Sequence, residues 1–332
     1  MHANNTQPLQ LPKHHHRPGI SGYDIIGDVH GMADKLHQLL QRLGYQLGTQ
    51  GWFHPGRQVI FIGDLIDNGM QTRETLTTVR QMVDHENALV VMGNHELNAV
   101  AWEMRHSDTG LPLREHSDTN LAHHLAFLQS IPQRSERLEW LAWFKTLPVY
   151  LDFGDLRCVH ACWHPASLQV MQPYLTATAQ LQEAAWQPAF ATDHPLFHAV
   201  ENVLKGIEIS LPEGLSFFDH KGKRRYSSRI SWWLEDAASL ADMVHIPMPS
   251  QNREVLARLA QLPAHAELLQ QSIYHGDCPV FFGHYWLKPE PRILSPKTAC
   301  TDYSAGKDGP LVAYRWNGEQ ALNDHNWVTS YD

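Results

Sequence analysis

The chain runs to 332 residues, 43% hydrophobic and 18% charged, which excludes a disordered protein and leaves ample apolar surface for a core. A formal net charge of −9 without any long basic run excludes nucleic acid as an obligate partner. Four scattered cysteines exclude a disulfide framework. No apolar run reaches the length of a membrane span, so a cytoplasmic protein with no membrane contact and no obligate partner is expected.

In chain order, residues 1–20 are polar, carry His14, His15 and His16, and read as a mobile arm. Residues 21–332 read as a single domain. Tyr23–Gly27 reads as a buried strand; Met32, Leu36, Leu39, Leu40 and Leu43 then recur at helical spacing, with Gly44 suited to close the helix. A second strand is expected at about 59–62, then a helix with Leu76, Val79 and Val83 on one face, then a third strand at about 88–92 and another helix. Strands alternating with helices imply a parallel sheet with right-handed crossovers. Apolar runs without alternation imply a sheet covered on both faces. A helical stretch over 121–146 is broken by Pro132. "LRCVHACW" and "CPVFFGHYW" read as two later strands. Between them, residues 165–270 read as an insertion over one end of the sheet, with a helical piece at about 195–205, a hairpin tip at "DHKGKRR" and a Trp-rich strand, "RISWWLED". "RIL", "ACTDYS" and "LVAYRW" suggest an antiparallel finish and a second sheet packed on the first.

Five of these apolar runs end in polar metal-ligand types: Asp28 and His30; Asp64 and Asp67; Asn94 and His95; His160; and His284. Ligands collect beyond the carboxyl ends of strands in an open α/β sheet, so the five ends should converge. Carboxylates with imidazoles suit a first-row divalent cation, manganese, iron or zinc. One cation would be held by Asp28, His30 and Asp64, and a second by Asn94, His160 and His284, with Asp64 bridging. Two ions about 3.5–4 Å apart clamp an in-line displacement at phosphorus and acidify a shared water. His95 would act as general acid, its far ring nitrogen held by Asp67. Cys158 and Cys162 flank His160 and read as buried structural thiols. No cysteine precedes an arginine by six residues, which excludes a thiol-based phosphatase. Histidines 123, 124, 164, 220 and 275 read as surface or structural.

"GDVHG", "GDLIDNG", "GNHE", "VHACW" and "FFGHYW" stand in the order found in the calcineurin-like metallophosphoesterases. The chain resembles that family densely over residues 23–98 and in short islands at 156–163 and 280–286. It is most similar to the branch of the phosphoprotein phosphatases and symmetrical diadenosine tetraphosphate hydrolases. The resemblance implies an α/β, four-layer αββα fold, a central β-sandwich flanked by helices, with a dinuclear centre for which manganese is the expected metal. In the phosphoprotein phosphatases an arginine that grips phosphate usually stands where this chain has Asn68. Arg73, Arg224, Arg225 and Arg229 are candidates to replace it, and Tyr303 falls where that branch has a tyrosine near the metals. Trp286 stands where many of the wider superfamily have a second histidine. The expected activity is hydrolysis of phosphomonoesters, Ser/Thr or Tyr phosphate on protein ahead of others, by direct attack of a dimetal-bound hydroxide. The alternatives are a hydrolase of diadenosine tetraphosphate or another nucleotide and, more remotely, a non-catalytic metal-binding scaffold.

Overall fold

The protein is described by a computed structural model over residues 11–219, 222–234, 236–247, 249–288 and 290–331. Strand β1 (Gly22–Ile26) leads to helix α1 (Ala33–Arg42), hairpin strands β2 (Gln46–Gly48) and β3 (Gly51–Phe53), then β4 (Arg57–Phe61), α2 (Thr72–Asp84), β5 (Ala88–Val90) and α3 (Asn94–Glu103). Helices α4 (Asp118–Ser130) and α5 (Arg134–Phe144) precede β6 (Tyr150–Asp152) and β7 (Arg157–Val159). After α6 (Pro165–Met171) and α7 (Pro195–Lys205) come the short strands β8 (Glu208–Ser210), β9 (Phe217–Phe218), β10 (Arg224–Arg225), β11 (Ser227–Ile230) and β12 (Val244–His245). The chain closes with β13 (Val280–Phe282), β14 (Thr298–Cys300), β15 (Val312–Trp316) and β16 (Trp327–Thr329).

Two sheets carry the architecture. The first has the order β16-β15-β1-β4-β5, with β1, β4 and β5 parallel and β15 and β16 antiparallel. The second has the order β14-β13-β7-β6, with β7, β13 and β14 parallel. Alternate residues of each sheet meet in one buried cluster. Tyr23, Ile25, Ile60, Tyr314 and Trp316 come from the first sheet, and Leu151, Cys158, Phe281 and Ala299 from the second. The residues between them, such as Ile26, Val59 and Phe61 on one side and Val280, Phe282 and Cys300 on the other, join the core formed with the helices. The strands thus bury both faces, as their unbroken apolar runs require. This is the four-layer αββα sandwich. Because β1, β4, β5, β7, β13 and β14 share one direction within their sheets, their carboxyl ends can serve one site.

Three expectations need correction. Residues 11–20 are held against the sheets rather than free: the His14 N–H donates to Asp152 O at 2.7 Å, and the His16 ring stacks on Phe153 at 4.8 Å. The "RISWWLED" strand stops at Ile230, because Trp232 and Trp233 turn inward to pack at a tilt against Phe282 at 4.7 and 5.1 Å. The C-terminal runs do not form the second sheet by themselves: β14 joins it in parallel, β15 and β16 extend the first, and "RIL" forms no strand. β9 and β10 pair as the hairpin that "DHKGKRR" signalled; its tip residues 220 and 221, and residues 1–10 of the arm, lie outside the described residues. No helix among the described residues is long and apolar enough to cross a membrane.

Candidate metal centre and its cavity

Each strand end turns sharply, and the backbone there is unusual. Of nine non-glycine residues with left-handed φ among the described residues, seven lie here: His30, Asp64, Asp67, Asn68, His284, Trp286 and Ser304. Such conformations cost about 1–3 kcal/mol each and cluster where function demands them. Two glycines make room for the carboxylates: a Cβ on Gly283 would stand 2.0 Å from Asp28 Oδ1, and one on Gly93 would stand 2.3 Å from Asp64 Oδ1.

Asp64 lies at the middle. His30 and His95 approach its Oδ2 at 3.8 Å each, and His160 approaches its Oδ1 at 3.4 Å. Two groups of donor atoms lie within 4.8 Å of one another: His30, Asp64 and His95, and Asp64, His160 and His284. They share Asp64. Asn94 Oδ1 is 3.1 Å from His160 Nε2, while Asp28 accepts the His284 backbone N–H at 3.1 Å and stands outside both groups.

The hydrogen bonds fix how the rings face. His30 Nδ1 donates to Ile66 O at 3.0 Å and His160 Nδ1 to Ile62 O at 2.7 Å, so each turns Nε2 toward Asp64. His30 Nε2 and both ring nitrogens of His284 are buried without a hydrogen-bond partner. Burial holds His30 down at about 4 and His284 well below its ordinary range, so both rings are neutral. Asp64, beside His160 and His95, is held well below its ordinary range against its burial, while two neighbouring carboxyls run the other way. Burial and the neighbouring Asp302 and Asp64 charges push Asp28 well up; burial and Asp64 push Glu96 to about 7. Orphaned neutral imidazoles beside carboxylates crowded by like charge are the donor set that a divalent cation satisfies. The residues present therefore fit metal ions.

His95 is the least buried member of the set, its side chain 21% accessible. Its Nδ1 lies 2.6 Å from Asp67 Oδ2. Burial alone would lower its pKa, but Asp64 and Asp67 outweigh burial and raise it to about 9. Its Nε2 thus carries a proton at neutral pH.

These groups form one end of a cavity of about 620 Å³. Asn68, Asn94, His95, His284, Trp286 and Lys307 lie on the side of the strand ends. Ala122, Leu125 and Ala126 of α4 form one wall, and Phe217, Arg225, Arg229 and His245 of the 208–247 segment form another. Arg229 Nε is buried there without a hydrogen-bond partner, and Arg225 is paired with Asp219 at 2.8 Å. Of the candidates for holding phosphate, Asn68, Arg225 and Arg229 reach the cavity. Arg73 does not: it lines a separate depression and pairs with Glu136 at 3.0 Å. Arg224 lies over the Phe218 ring at 5.3 Å, outside the lining. Tyr303 is buried with its hydroxyl accepting the Arg292 N–H at 3.0 Å, because it points away from its neighbour Asp302.

Several residues escaped the sequence reading. Glu96 accepts the backbone N–H groups of Asp64, Leu65 and Gly93 at 2.8–3.0 Å and so shapes the Asp64 turn. Its place in "GNHE" was the available signal. Asp302 follows β14 and accepts the N–H groups of Trp286 and Ser304; it ends an apolar run, as the other site residues do. Arg114 lines the cavity, and His124 faces Asp67 at 3.4 Å from the far side; no sequence pattern marks either. All four cysteines are free and buried, and burial pushes the Cys158, Cys162 and Cys300 thiols well up.

Comparison with known proteins follows the same lines. The sequence signature of the calcineurin-like phosphoesterases matches residues 23–179. A symmetrical bis(5'-nucleosyl)-tetraphosphatase of Vibrio campbellii is 31% identical over 306 residues, covering 90% of this chain and 96% of the relative. The chain belongs to the calcineurin-like phosphoesterase family. This phosphoesterase is also 33% identical over 142 residues to an asymmetrical bis(5'-nucleosyl)-tetraphosphatase PrpE of Halalkalibacterium halodurans. That match covers 41% of this chain, which spans about half the length, 54%, of the relative. Among solved structures, the cold-active protein-tyrosine phosphatase of a Shewanella species is similar at a TM-score of 0.45 and 15% identity, over 94% of this chain and 80% of the other.

Proposed function

We propose that this phosphoesterase is a dinuclear metal-dependent hydrolase of a small polyphosphate, with a dinucleoside tetraphosphate as the favoured substrate. The observation that carries this is the cavity itself. It is walled on one side by α4 and on the other by the 208–247 segment, with Arg114, Arg225, Arg229 and Lys307 around it. Several cations around one half-open cleft suit a chain of phosphates better than a single phosphoryl group on a protein surface. The naming of the Vibrio campbellii relative supports the same substrate. A phosphoprotein remains the second reading, favoured by the half-buried His95, which reaches the cavity where a phosphoryl group on a protein could also meet it.

Asp28, His30 and Asp64 would hold one divalent ion and Asn94, His160 and His284 the other, manganese ahead of iron or zinc. When bound, the pair supplies Lewis acidity to the phosphoryl oxygens and acidifies water. The protein does the rest. Glu96 fixes the Asp64 turn through three backbone N–H groups. Asp67 holds His95 Nδ1, so that Nε2 presents its proton to the departing oxygen. Arg229 and Asn68 offer N–H groups to the phosphoryl oxygens. Residues 21–332 act as one domain, with the 165–270 insertion as the specificity wall. The complete set of donors supports an enzyme over a non-catalytic scaffold.

The test is turnover of diadenosine tetraphosphate, phosphopeptides and an aryl phosphate by Mn²⁺-loaded protein, with metal content measured in parallel. The highest kcat/KM is expected on the dinucleotide. Asp64→Asn should remove both the activity and the bound metal while the protein stays folded. A variant with near wild-type turnover would refute the shared-bridge assignment.

A further inference from the structure

His124 sits where the proposed reaction has no stated need of it. It is 1% exposed, on α4, behind the His95–Asp67 pair. Its Nδ1 lies 3.4 Å from Asp67 Oδ1, while the other Asp67 oxygen takes His95 at 2.6 Å. Neither Asp67 Oδ1 nor His124 Nδ1 has another hydrogen-bond partner, and both are buried. Two orphaned buried groups that face each other satisfy one another when the ring carries its proton on Nδ1.

The surroundings hold the ring in that orientation. It lies against Phe127 at 5.0 Å, with 29° between the planes, and against Trp102 at 5.5 Å. Trp102 is itself stacked on His116 at 3.7 Å. We propose that His124 is a positioning residue, the third member of a line His95–Asp67–His124 that keeps the proton donor aimed at the leaving oxygen. This rests on the reading of His95 as that donor.

The physical need for a third member lies in the carboxylate. The terminal torsion of an aspartate is broad, so one hydrogen bond leaves the group free to swing. His95 fixes Oδ2 only. A second contact on Oδ1 stops the rotation and keeps Oδ2 aimed at His95 Nδ1. Asp67 Oδ1 is also buried, so bulk solvent does not reach it and the facing His124 ring is the group placed to hold it. Burial alone would raise its pKa, yet contacts with His124 and His95 hold it down at about 2, which keeps the carboxylate charged. The helix that carries His124 also presents Ala122, Leu125 and Ala126 to the cavity. The wall that meets the substrate is therefore the element that braces the proton donor.

The experiment compares two esters on Mn²⁺-loaded protein, 4-nitrophenyl phosphate with its good leaving group and phenyl phosphate with its poor one. Loss of aim at His95 matters most where the leaving oxygen needs a proton. His124→Ala should therefore lower kcat on phenyl phosphate about tenfold more than on 4-nitrophenyl phosphate, with KM unchanged. His124→Asn, whose amide N–H stands where Nδ1–H stood, should restore the wild-type ratio. An equal loss on both esters, or no loss, overturns the proposal. Nitrogen NMR on the wild-type protein gives a second measure that needs no variant: a protonated His124 Nδ1 supports the proposal, and an unprotonated one overturns it. A His95→Asn variant that keeps the wild-type ratio fails the underlying reading of His95 instead.

Discussion

The strand-end side of the cavity and its walls are built in opposite ways. Asp28, His30, Asp64, Asn94, His160 and His284 are all buried, and their turns are tied by backbone hydrogen bonds and by glycines with no room for a Cβ. The 208–247 wall is made of short strands of two to four residues, and Arg225 is 46% exposed in its side chain and held by one carboxylate. The rigid side can hold charge at fixed points, which chemistry requires. The looser side can change from one relative to another without disturbing those points, which is how one fold serves several substrates.

Substitutions on the two sides should therefore fail differently. After the loss of activity expected for Asp64→Asn, the largest effect is expected at His95: His95→Asn should lower kcat on a poor leaving group by roughly 10²–10⁴-fold with little change in KM, measured by steady-state kinetics. Next comes Gly283→Ala, whose Cβ would press on Asp28 Oδ1 at 2.0 Å. It should cost about 1–3 kcal/mol in denaturant unfolding and lower metal content with it. On the wall, Arg229→Ala should raise KM for the dinucleotide by about tenfold or more and leave kcat nearly intact, since a charge-assisted hydrogen bond contributes about 1.5–3 kcal/mol. A kcat loss as large as that of His95→Asn would erase the contrast between the two sides.

The smallest effect is on pH dependence. His245, lodged in the wall against Tyr285 O at 3.0 Å, is lowered from 6.5 to about 4 by burial and by Arg229. Its folded pKa lies below its unfolded one, so the unfolded chain takes up the proton first. Its contribution to stability is full above pH 6.5 and is lost as the pH falls toward 4. Thermal unfolding of His245→Gln should show a shallower fall across that window than the wild-type protein.

The same contrast governs what the sequence made legible. Asp28, His30, Asp64, Asn94, His160 and His284 could be found because each follows an apolar run, and the fold brings the carboxyl ends of parallel strands together. Asp302 obeys the same rule, but "ACTDYS" is split by polar residues and the run before it is short. Arg229 could be named only as one of four arginines, since its approach depends on the pairing of β11 with β8 and β12, which short irregular strands do not announce. His124 was read as surface or structural because its helix shows no clear apolar face, with two buried residues in thirteen. Its meaning comes from Asp67, 57 positions away. The docked segment at residues 14–16 was missed because its histidines serve as aromatic faces there, on Phe153 and Tyr23.

The seven left-handed residues at the strand ends carry a cost of another kind. His30, His284 and Trp286 hold a backbone shape that glycine would adopt without strain. Selection for heat resistance alone would favour glycine at these points, and each such change at His30 or His284 would remove a donor atom. At these points stability and chemistry therefore pull against each other, whereas substitutions at the interface between the two sheets or in the 208–247 wall can add stability without removing a donor atom.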